Sequence, residues 1–153
     1  MMTQTIGTPT KFDHAHMQTA EVYAKLSSAE RLKVGCIIVK ENRIISIGYN
    51  GMPSGWDNNC EDLIRNEQDN GIVKYTTISK PEVLHAETNA IAKLAKSNES
   101  GLGATLFITH APCLDCAKLV YQSGISSVYY RNSYRNEDGL RFLEKAEIGR
   151  AHV

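Results

Sequence analysis

Two short stretches of this chain decide its fold and its chemistry: His85-Ala86-Glu87 and Pro112-Cys113-Leu114-Asp115-Cys116, with 24 residues between them. They contain one imidazole, two thiols and one carboxylate outside the C-x-x-C segment. An imidazole and two thiolates are typical zinc ligands, and three protein ligands leave the fourth tetrahedral position free for water. We therefore expect His85, Cys113 and Cys116 to bind one catalytic Zn²⁺, with Glu87 acting as a general acid and base.

Both stretches belong at the beginnings of predicted helices. Cys113 and Cys116 are three residues apart, which places both sulfurs on one face of a helix. Pro112 directly precedes this helix, where its missing N–H costs little, and a helix N-terminus lowers the pKa of a thiol. His85 and Glu87 would point in different directions within a regular helix. We therefore expect His85 to lie at the non-helical edge of its helix.

Two other interpretations of the C-x-x-C segment are weaker. A redox motif would also follow a strand and open a helix, but it would leave His85 and Glu87 without a role. A structural zinc site needs a fourth ligand, for which the candidates are His110, Cys36 and Cys60. Both halves of the catalytic pattern occur in the right order at predicted helix starts, which favours catalytic zinc.

The composition is typical of a small enzyme. The chain has 153 residues, enough for one domain with a sizeable core. Lys+Arg and Asp+Glu each total 17, so the formal net charge is zero. Proteins that bind long nucleic acids usually carry a basic excess, so we expect a small-molecule substrate and no nucleic-acid partner. No signal peptide or membrane-spanning run is recognised, and we expect a cytoplasmic protein without a membrane partner.

Hydrophobic periodicity predicts alternating helices and strands. We expect residues 1–10 to form a flexible tail and residues 11–153 to form a single domain. The predicted helices span residues 12–26, 85–96, 113–122 and 139–148, and the predicted strands span residues 34–39, 44–47, 106–108 and 125–130. The first two strands flank a short polar connection and should form a β-hairpin. This order of elements predicts a three-layer α/β domain with a mixed sheet.

Residues 50–80 show no clear periodicity. A stretch of 31 residues without periodicity is too long for a plain connection, and long loops in compact domains are usually lids or binding loops. We therefore expect this segment to serve binding or regulation.

The motifs together resemble the deoxycytidylate (dCMP) deaminase family over about residues 17–134. The zinc half-motifs occur throughout the nucleobase deaminases. Resemblance to the dCMP branch rests also on Val34-Gly35-Cys36-Ile37-Ile38-Val39, on Gly48-Tyr49-Asn50-Gly51 and on the tyrosine-rich segment 129–134. It implies a cytidine-deaminase-like α/β/α fold with a five-stranded mixed central sheet. It also implies Zn²⁺-dependent hydrolysis of dCMP to dUMP and ammonia, which supplies dUMP for dTMP synthesis.

The resemblance also implies where the substrate is bound. Asn42, in the predicted hairpin turn, resembles the residue that contacts the deoxyribose 3′-hydroxyl. An arginine fork suits a phosphate, and the residues implied for the 5′-phosphate are Tyr130, Arg131 and Tyr134. If Arg131 is instead a solvated loop residue, the phosphate candidates become Ser28 and Arg31. The wall around the base is expected to include Ala86, His110 and Ala111.

In the family that this chain resembles, Mg²⁺·dCTP activates and dTTP inhibits a homohexamer. The resemblance implies an allosteric nucleotide site at Gly48-Tyr49-Asn50-Gly51, where glycines would let the backbone approach a phosphate closely. The alternative is a glycine-rich hairpin exit without a ligand. Some phage members carry two more histidines for a second, structural zinc. Those positions are Asn89 and Lys93 here, so we do not expect a second zinc.

Two other classes of function stay open. One is a deaminase that acts on a polynucleotide such as tRNA, against which the zero net charge argues. The other is a catalytically idle zinc domain that serves in assembly, against which the presence of Glu87 argues.

Overall fold

The computed structural model describes residues 6–153, so residues 1–5 of the expected tail lie outside the described residues. Residues 6–10 form neither helix nor strand, and the Thr10 hydroxyl caps the first helix by accepting from the Asp13 N–H. The helices are α1 (Lys11–Ala24), α2 (Ala86–Ala95), α3 (Leu114–Gln122) and α4 (Asp138–Lys145). The strands are β1 (Gly35–Lys40), β2 (Arg43–Tyr49), β3 (Glu61–Glu67), β4 (Val73–Ser79), β5 (Thr105–His110), β6 (Ser127–Asn132) and β7 (Gly149–His152).

Five strands form the main sheet, in the order β2-β1-β5-β6-β7. Strand β1 is antiparallel to both β2 and β5, whereas β5, β6 and β7 are parallel to one another. The sheet is therefore mixed, as expected. Among residues 6–153, no helix has both the length and the apolar character needed to cross a bilayer.

Strand β1 lies between two apolar clusters. Its residues Cys36 and Ile38 pack with the helices on one face, through Ala86, Ala90, Leu94, Ala117, Val120 and Leu143. Its residues Ile37 and Val39 pack on the other face, with Met17, Ala20 and Phe107. Successive side chains of a strand point to opposite faces, so the sheet separates α1 from α2, α3 and α4. This confirms the three-layer α/β/α fold with a five-stranded mixed sheet.

The C-terminal region differs from the prediction. The helix expected at residues 139–148 ends at Lys145, and strand β7 then pairs with β6 at the edge of the sheet. Glu147 adopts a positive φ of 61°, which reverses the chain, and Ile148 enters the core. An apolar residue at position 148 extends the helical pattern, and a four-residue strand is too short to show a period of its own.

Residues 50–80 also contain structure that was not predicted, a two-stranded antiparallel hairpin of β3 and β4. We call residues 61–79 the β-arm. Most of its side chains are exposed on both faces. The alternation of apolar and polar residues that marks a half-buried strand is therefore missing from its sequence.

The base of the β-arm is fixed to the body of the domain. The Lys80 N–H donates to the Cys60 carbonyl at 2.8 Å. The buried Glu61 carboxylate accepts from the backbone N–H groups of Glu30 at 2.9 Å and Arg31 at 3.2 Å. The segment that follows β4 therefore enters the body of the domain at a fixed position.

Two glycines let helices lie directly on the sheet. A Cβ added at Gly35 would come within 2.0 Å of the Ala20 carbonyl oxygen of α1. A Cβ added at Gly48 would come within 2.2 Å of the Ala86 carbonyl oxygen of α2. The close approach at Gly48 fixes the first turn of α2 against β2, and this turn carries Glu87.

Candidate active site

The three expected metal ligands lie at the N-termini of α2 and α3. His85 is the N-cap of α2, with φ −76° and ψ 155°. Cys113 is the N-cap of α3, with φ −68° and ψ 170°, and Cys116 follows in the first turn. The extended backbone at His85 lets its imidazole and the Glu87 carboxyl reach one site. The positive ends of the two helix dipoles favour the anionic thiolates and the carboxylate there.

The ligand atoms are close enough to bind one metal ion, since all three lie within 4.8 Å of one another. His85 Nδ1 is 3.3 Å from Cys116 Sγ and 3.7 Å from Cys113 Sγ. Nitrogen and sulfur ligands of a tetrahedral zinc ion are separated by about 3.5 Å, given Zn–N and Zn–S lengths of roughly 2.0 and 2.3 Å. The arrangement therefore fits a zinc ion.

The protonation of the thiols also fits a dication. Hydrogen bonds from Cys116 and His85 lower the pKa of the Cys113 thiol to about 4. The pKa of the Cys116 thiol is raised, because it donates to Cys113 and is buried beside Glu87. Without a metal, the two thiols together hold one proton. A divalent cation that binds between them displaces this proton and stabilises both groups as thiolates.

Glu87 lies beside the ligands with only 4% of its surface exposed. Burial raises the pKa of its carboxyl. A carboxyl with a raised pKa gives up and regains a proton closer to neutral pH than an exposed carboxyl does, which suits a general acid and base. Its position supports the expected role.

His85, Cys113 and Glu87 line a cavity of about 340 Å³, which we call the catalytic cavity. Its volume lies within the range of small-molecule sites. The predicted wall residues Ala86, His110 and Ala111 line it, as does Tyr134. Burial lowers the pKa of His110, so this imidazole is neutral near pH 7.

Comparison with known proteins identifies the family. Residues 10–132 match the family model described as the cytidine and deoxycytidylate deaminase zinc-binding region. The matched span includes all three ligands and Glu87. The chain belongs to this deaminase family.

Curated relatives include several deoxycytidylate deaminases. The enzyme of Saccharomyces cerevisiae is 34% identical over 142 residues, which cover 90% of this deaminase chain but 43% of the yeast protein. The enzyme of Enterobacteria phage T4 is 32% identical over 153 residues, which cover 80% of this chain and 79% of the phage protein. The chain thus spans less than half of the yeast relative and most of the phage relative.

The fold is also similar to that of the dCMP deaminase from the cyanophage S-TIM5, whose crystal structure is in complex with dCMP and dUMP. The TM-score is 0.82 at 40% identity, and the match covers 96% of this deaminase and all of the phage chain. The similarity therefore extends over nearly the whole domain, beyond the zinc-binding region.

Asn42 does not lie at the catalytic cavity, contrary to expectation. Strand β1 follows Val34, which lines the cavity, and runs six residues to the hairpin turn, a distance of about 20 Å. Asn42 occupies that turn with a positive φ of 59°, and its Oδ1 is 3.0 Å from His16 Nε2. The predicted sugar contact is thus not supported by its position.

Two of the three residues predicted for the phosphate also lie elsewhere. The Arg131 guanidinium is 3.1 Å from the Glu21 carboxylate of α1, and the Tyr130 ring packs against His152 at a centroid distance of 5.6 Å. Both residues belong to β6, and their side chains contact Glu21 of α1 and His152 of β7. Tyr134 follows the strand and lines the cavity.

The alternative phosphate candidates are also outside the catalytic cavity. The Ser28 hydroxyl donates to the Asn58 carbonyl at 2.9 Å. Arg31 is exposed, and its backbone N–H holds the base of the β-arm. The structure therefore does not place either side chain among the described residues that line the cavity.

A second cavity of about 470 Å³ adjoins the predicted regulatory turn Gly48-Tyr49-Asn50-Gly51. The last three residues of the turn line it, whereas Gly48 lies under α2. Asn50 lines both cavities. Its side chain accepts from the Val34 N–H and donates to the Leu32 carbonyl, both at 2.8 Å. Asn50 thus joins the turn to the wall of the catalytic cavity.

The positions of the two histidines found in some phage relatives have another role here. The Asn89 side chain donates to the Tyr49 carbonyl at 2.8 Å, and the Lys93 ammonium donates to the Ile47 carbonyl at 2.7 Å. Strand β2 is an edge strand, and these two side chains of α2 occupy carbonyls that would otherwise be open to another strand.

The sequence analysis missed the cavity wall formed just after the β-arm, which consists of Ser79, Lys80, Pro81 and Val83. The available signal was proximity in the chain, because this segment leads directly into His85. Lack of periodicity hid it, since an irregular segment gives no indication of which side chains face the site.

Proposed function

We propose that this protein catalyses the hydrolytic deamination of dCMP to dUMP and ammonia. The observation that carries the proposal is the catalytic cavity, in which a His-Cys-Cys ligand set lies beside the buried carboxyl of Glu87. The similarity over 96% of the chain to a phage enzyme in complex with dCMP and dUMP supports this choice of substrate.

When bound by His85, Cys113 and Cys116, Zn²⁺ would lower the pKa of a water molecule to about 7. Glu87 would accept one proton from the attacking water and deliver it to the pyrimidine ring nitrogen, while the water oxygen adds to the ring carbon that bears the amine. Glu87 would then take the remaining proton of the added hydroxyl and pass it to the amine. The carbon–nitrogen bond would break, ammonia would leave and a carbonyl would remain.

The remaining cavity residues would bind the base and keep bulk water from it. Ala86 and Ala111 are small and buried, which leaves room for a flat ring next to the ligands. His110 is a neutral imidazole that can donate or accept one hydrogen bond. Tyr134 offers a hydroxyl for the sugar or the phosphate.

We further propose that deoxynucleoside triphosphates regulate the enzyme, with Mg²⁺·dCTP activating and dTTP inhibiting a homohexamer. The support is the second cavity, which is lined by Tyr49, Asn50 and Gly51 and is large enough for a nucleotide. Asn50 borders both cavities, so a change at one could alter the wall of the other.

A substrate comparison tests the catalytic proposal. Zinc-loaded protein would be incubated separately with dCMP, CMP, deoxycytidine and tRNA, and ammonia release would be measured. We expect dCMP to be the best substrate, because its phosphate supplies binding energy remote from the reacting carbon. Release from tRNA alone would assign the protein to the polynucleotide deaminases, and no release from any of the four would favour the idle zinc domain.

A further inference from the structure

Lys80 lines the catalytic cavity from a fixed position in the backbone. Its N–H donates to the Cys60 carbonyl at 2.8 Å, and its carbonyl accepts from the Val83 N–H at 3.2 Å. The first bond closes the base of the β-arm, and the second forms a turn that leads to His85. The backbone at position 80 is therefore tied both to the arm and to the segment that supplies a zinc ligand.

Lys80 also supplies the charge that a nucleotide requires. A phosphate monoester carries about −1.5 to −2 charges at pH 7. Among the described residues that line the catalytic cavity, Lys80 is the one with a permanent positive charge. His110 is neutral near pH 7 because burial lowers its pKa, and His85 is a metal ligand.

The other cations considered for the phosphate are committed elsewhere or exposed. Arg131 is paired with Glu21 at 3.1 Å, and Arg31 is exposed outside the cavity. A phosphate in the cavity would therefore meet Lys80 before either arginine.

The contact that Lys80 makes in this structure is weak enough to be exchanged. Its ammonium is 3.8 Å from the carboxylate of Asp62 in the β-arm, which is longer than a hydrogen bond, and the Lys80 and Asp62 side chains are 24% and 59% exposed. A long ion pair with one partner open to solvent contributes little to stability. A phosphate that carries more charge than Asp62 can therefore take over the ammonium at low cost.

We propose that Lys80 binds the 5′-phosphate of the substrate and determines the preference for a nucleotide over a nucleoside. This inference rests on the proposed deamination of dCMP. In the free enzyme the ammonium lies 3.8 Å from the Asp62 carboxylate, and the phosphate replaces Asp62 when the substrate binds.

The test compares Lys80→Met and Lys80→Arg with the wild-type enzyme, each loaded with zinc, on dCMP and on deoxycytidine. We expect Lys80→Met to lower kcat/KM for dCMP by roughly 10- to 100-fold, as loss of a hydrogen bond to a charged group does. It should leave kcat/KM for deoxycytidine within about twofold, and Lys80→Arg should restore much of the activity on dCMP because the charge is kept. Lys74→Met is the matched control, an exposed lysine on the β-arm outside the described cavity lining.

Two outcomes would overturn the role of Lys80. One is an unchanged ratio of dCMP to deoxycytidine activity in Lys80→Met, and the other is an equal loss on both substrates, which would indicate a structural role. Calorimetric binding of dUMP gives a readout that does not depend on turnover. If wild-type protein binds dUMP but does not deaminate dCMP, the proposed function fails, and weaker dUMP binding by Lys80→Met still supports the phosphate contact. No binding of dUMP to the wild type would overturn both proposals.

Discussion

At the scale of single residues, His85 and Glu87 share one cavity although they are only two positions apart. The boundary of α2 falls between them, so His85 has extended backbone while Glu87 is helical. The imidazole can therefore ligate the metal while the carboxyl stays free of it. Likewise, the boundary of α3 falls between the two cysteines, since Cys113 precedes the helix and Cys116 lies within it.

Replacing Glu87 by Gln tests the separation of these roles. The amide keeps the size of the side chain but cannot carry the proton, so turnover should fall by at least ~10³-fold while one zinc per chain is retained. Metal analysis and ammonia release measure the two quantities. Glu82→Gln, an exposed position nearby, should behave like the wild type. Loss of zinc from Glu87→Gln would instead make Glu87 a ligand.

Removing zinc with a chelator should abolish turnover and expose one thiol. Cys36 and Cys60 are buried in the fold, whereas Cys113 is partly exposed and is one of the three proposed zinc ligands. A thiol reagent should therefore modify Cys113 after chelation and spare Cys36, whose burial raises its pKa. Mass spectrometry of the labelled peptides identifies the modified cysteine. The control variant Cys60→Ser should show the same increase in labelling of Cys113 after chelation. Equal labelling of Cys113 before and after chelation would contradict metal binding there.

A site residue could be predicted when its position depends only on its neighbours in the sequence. The ligands and Glu87 follow from short spacings and helix boundaries, which the sequence shows directly. The substrate contacts depend on where distant segments meet. The six residues of β1 separate Asn42 from the catalytic cavity, and Arg131 forms an ion pair with Glu21 of α1. Lys80 reaches the cavity from a segment without periodicity, so no pattern indicated it.

At the scale of elements, the prediction was accurate where an element has at least one buried face. Helices α1, α2 and α3 have one such face and strand β1 has two, and the predicted positions of these helices and of the β1–β2 hairpin agree with the structure. The β-arm was missed because both its faces are exposed, and β7 was missed because it has four residues. The five-stranded sheet was expected from family resemblance, whereas periodicity gave four of its strands.

The contact between β2 and α2 gives a prediction at this scale. In Gly48→Ala, the added Cβ would lie 2.2 Å from the Ala86 carbonyl oxygen and 2.7 Å from the Ala90 nitrogen. The backbone of α2 must move, which should cost about 1–3 kcal/mol of unfolding free energy and disturb His85. Urea unfolding and zinc content measure the effect. Gly51→Ala is the control, since nothing lies within 4 Å of its added Cβ. Equal stability of the two variants would contradict the packing role of Gly48.

At the scale of the whole molecule, the two cavities share Asn50, and the β-arm leads into the catalytic cavity through Lys80. The β-arm exposes apolar side chains on both faces, with Leu63 72% and Ile64 40% exposed. A two-stranded hairpin alone is only marginally stable in water.

The regulatory proposal gives the last prediction, measured as dCMP saturation curves with and without each triphosphate and Mg²⁺. We expect dCTP to lower and dTTP to raise the dCMP concentration at half saturation, because opposed effects require each nucleotide to prefer a different state of the oligomer.

Among the described residues that line the second cavity, Lys93 carries the one permanent positive charge. Lys93→Met should therefore reduce the response to both triphosphates, whereas Lys74→Met, on the β-arm, should keep it. A hyperbolic curve that neither nucleotide shifts would leave the second cavity without a regulatory role, and full retention of both responses in Lys93→Met would place the triphosphate site elsewhere.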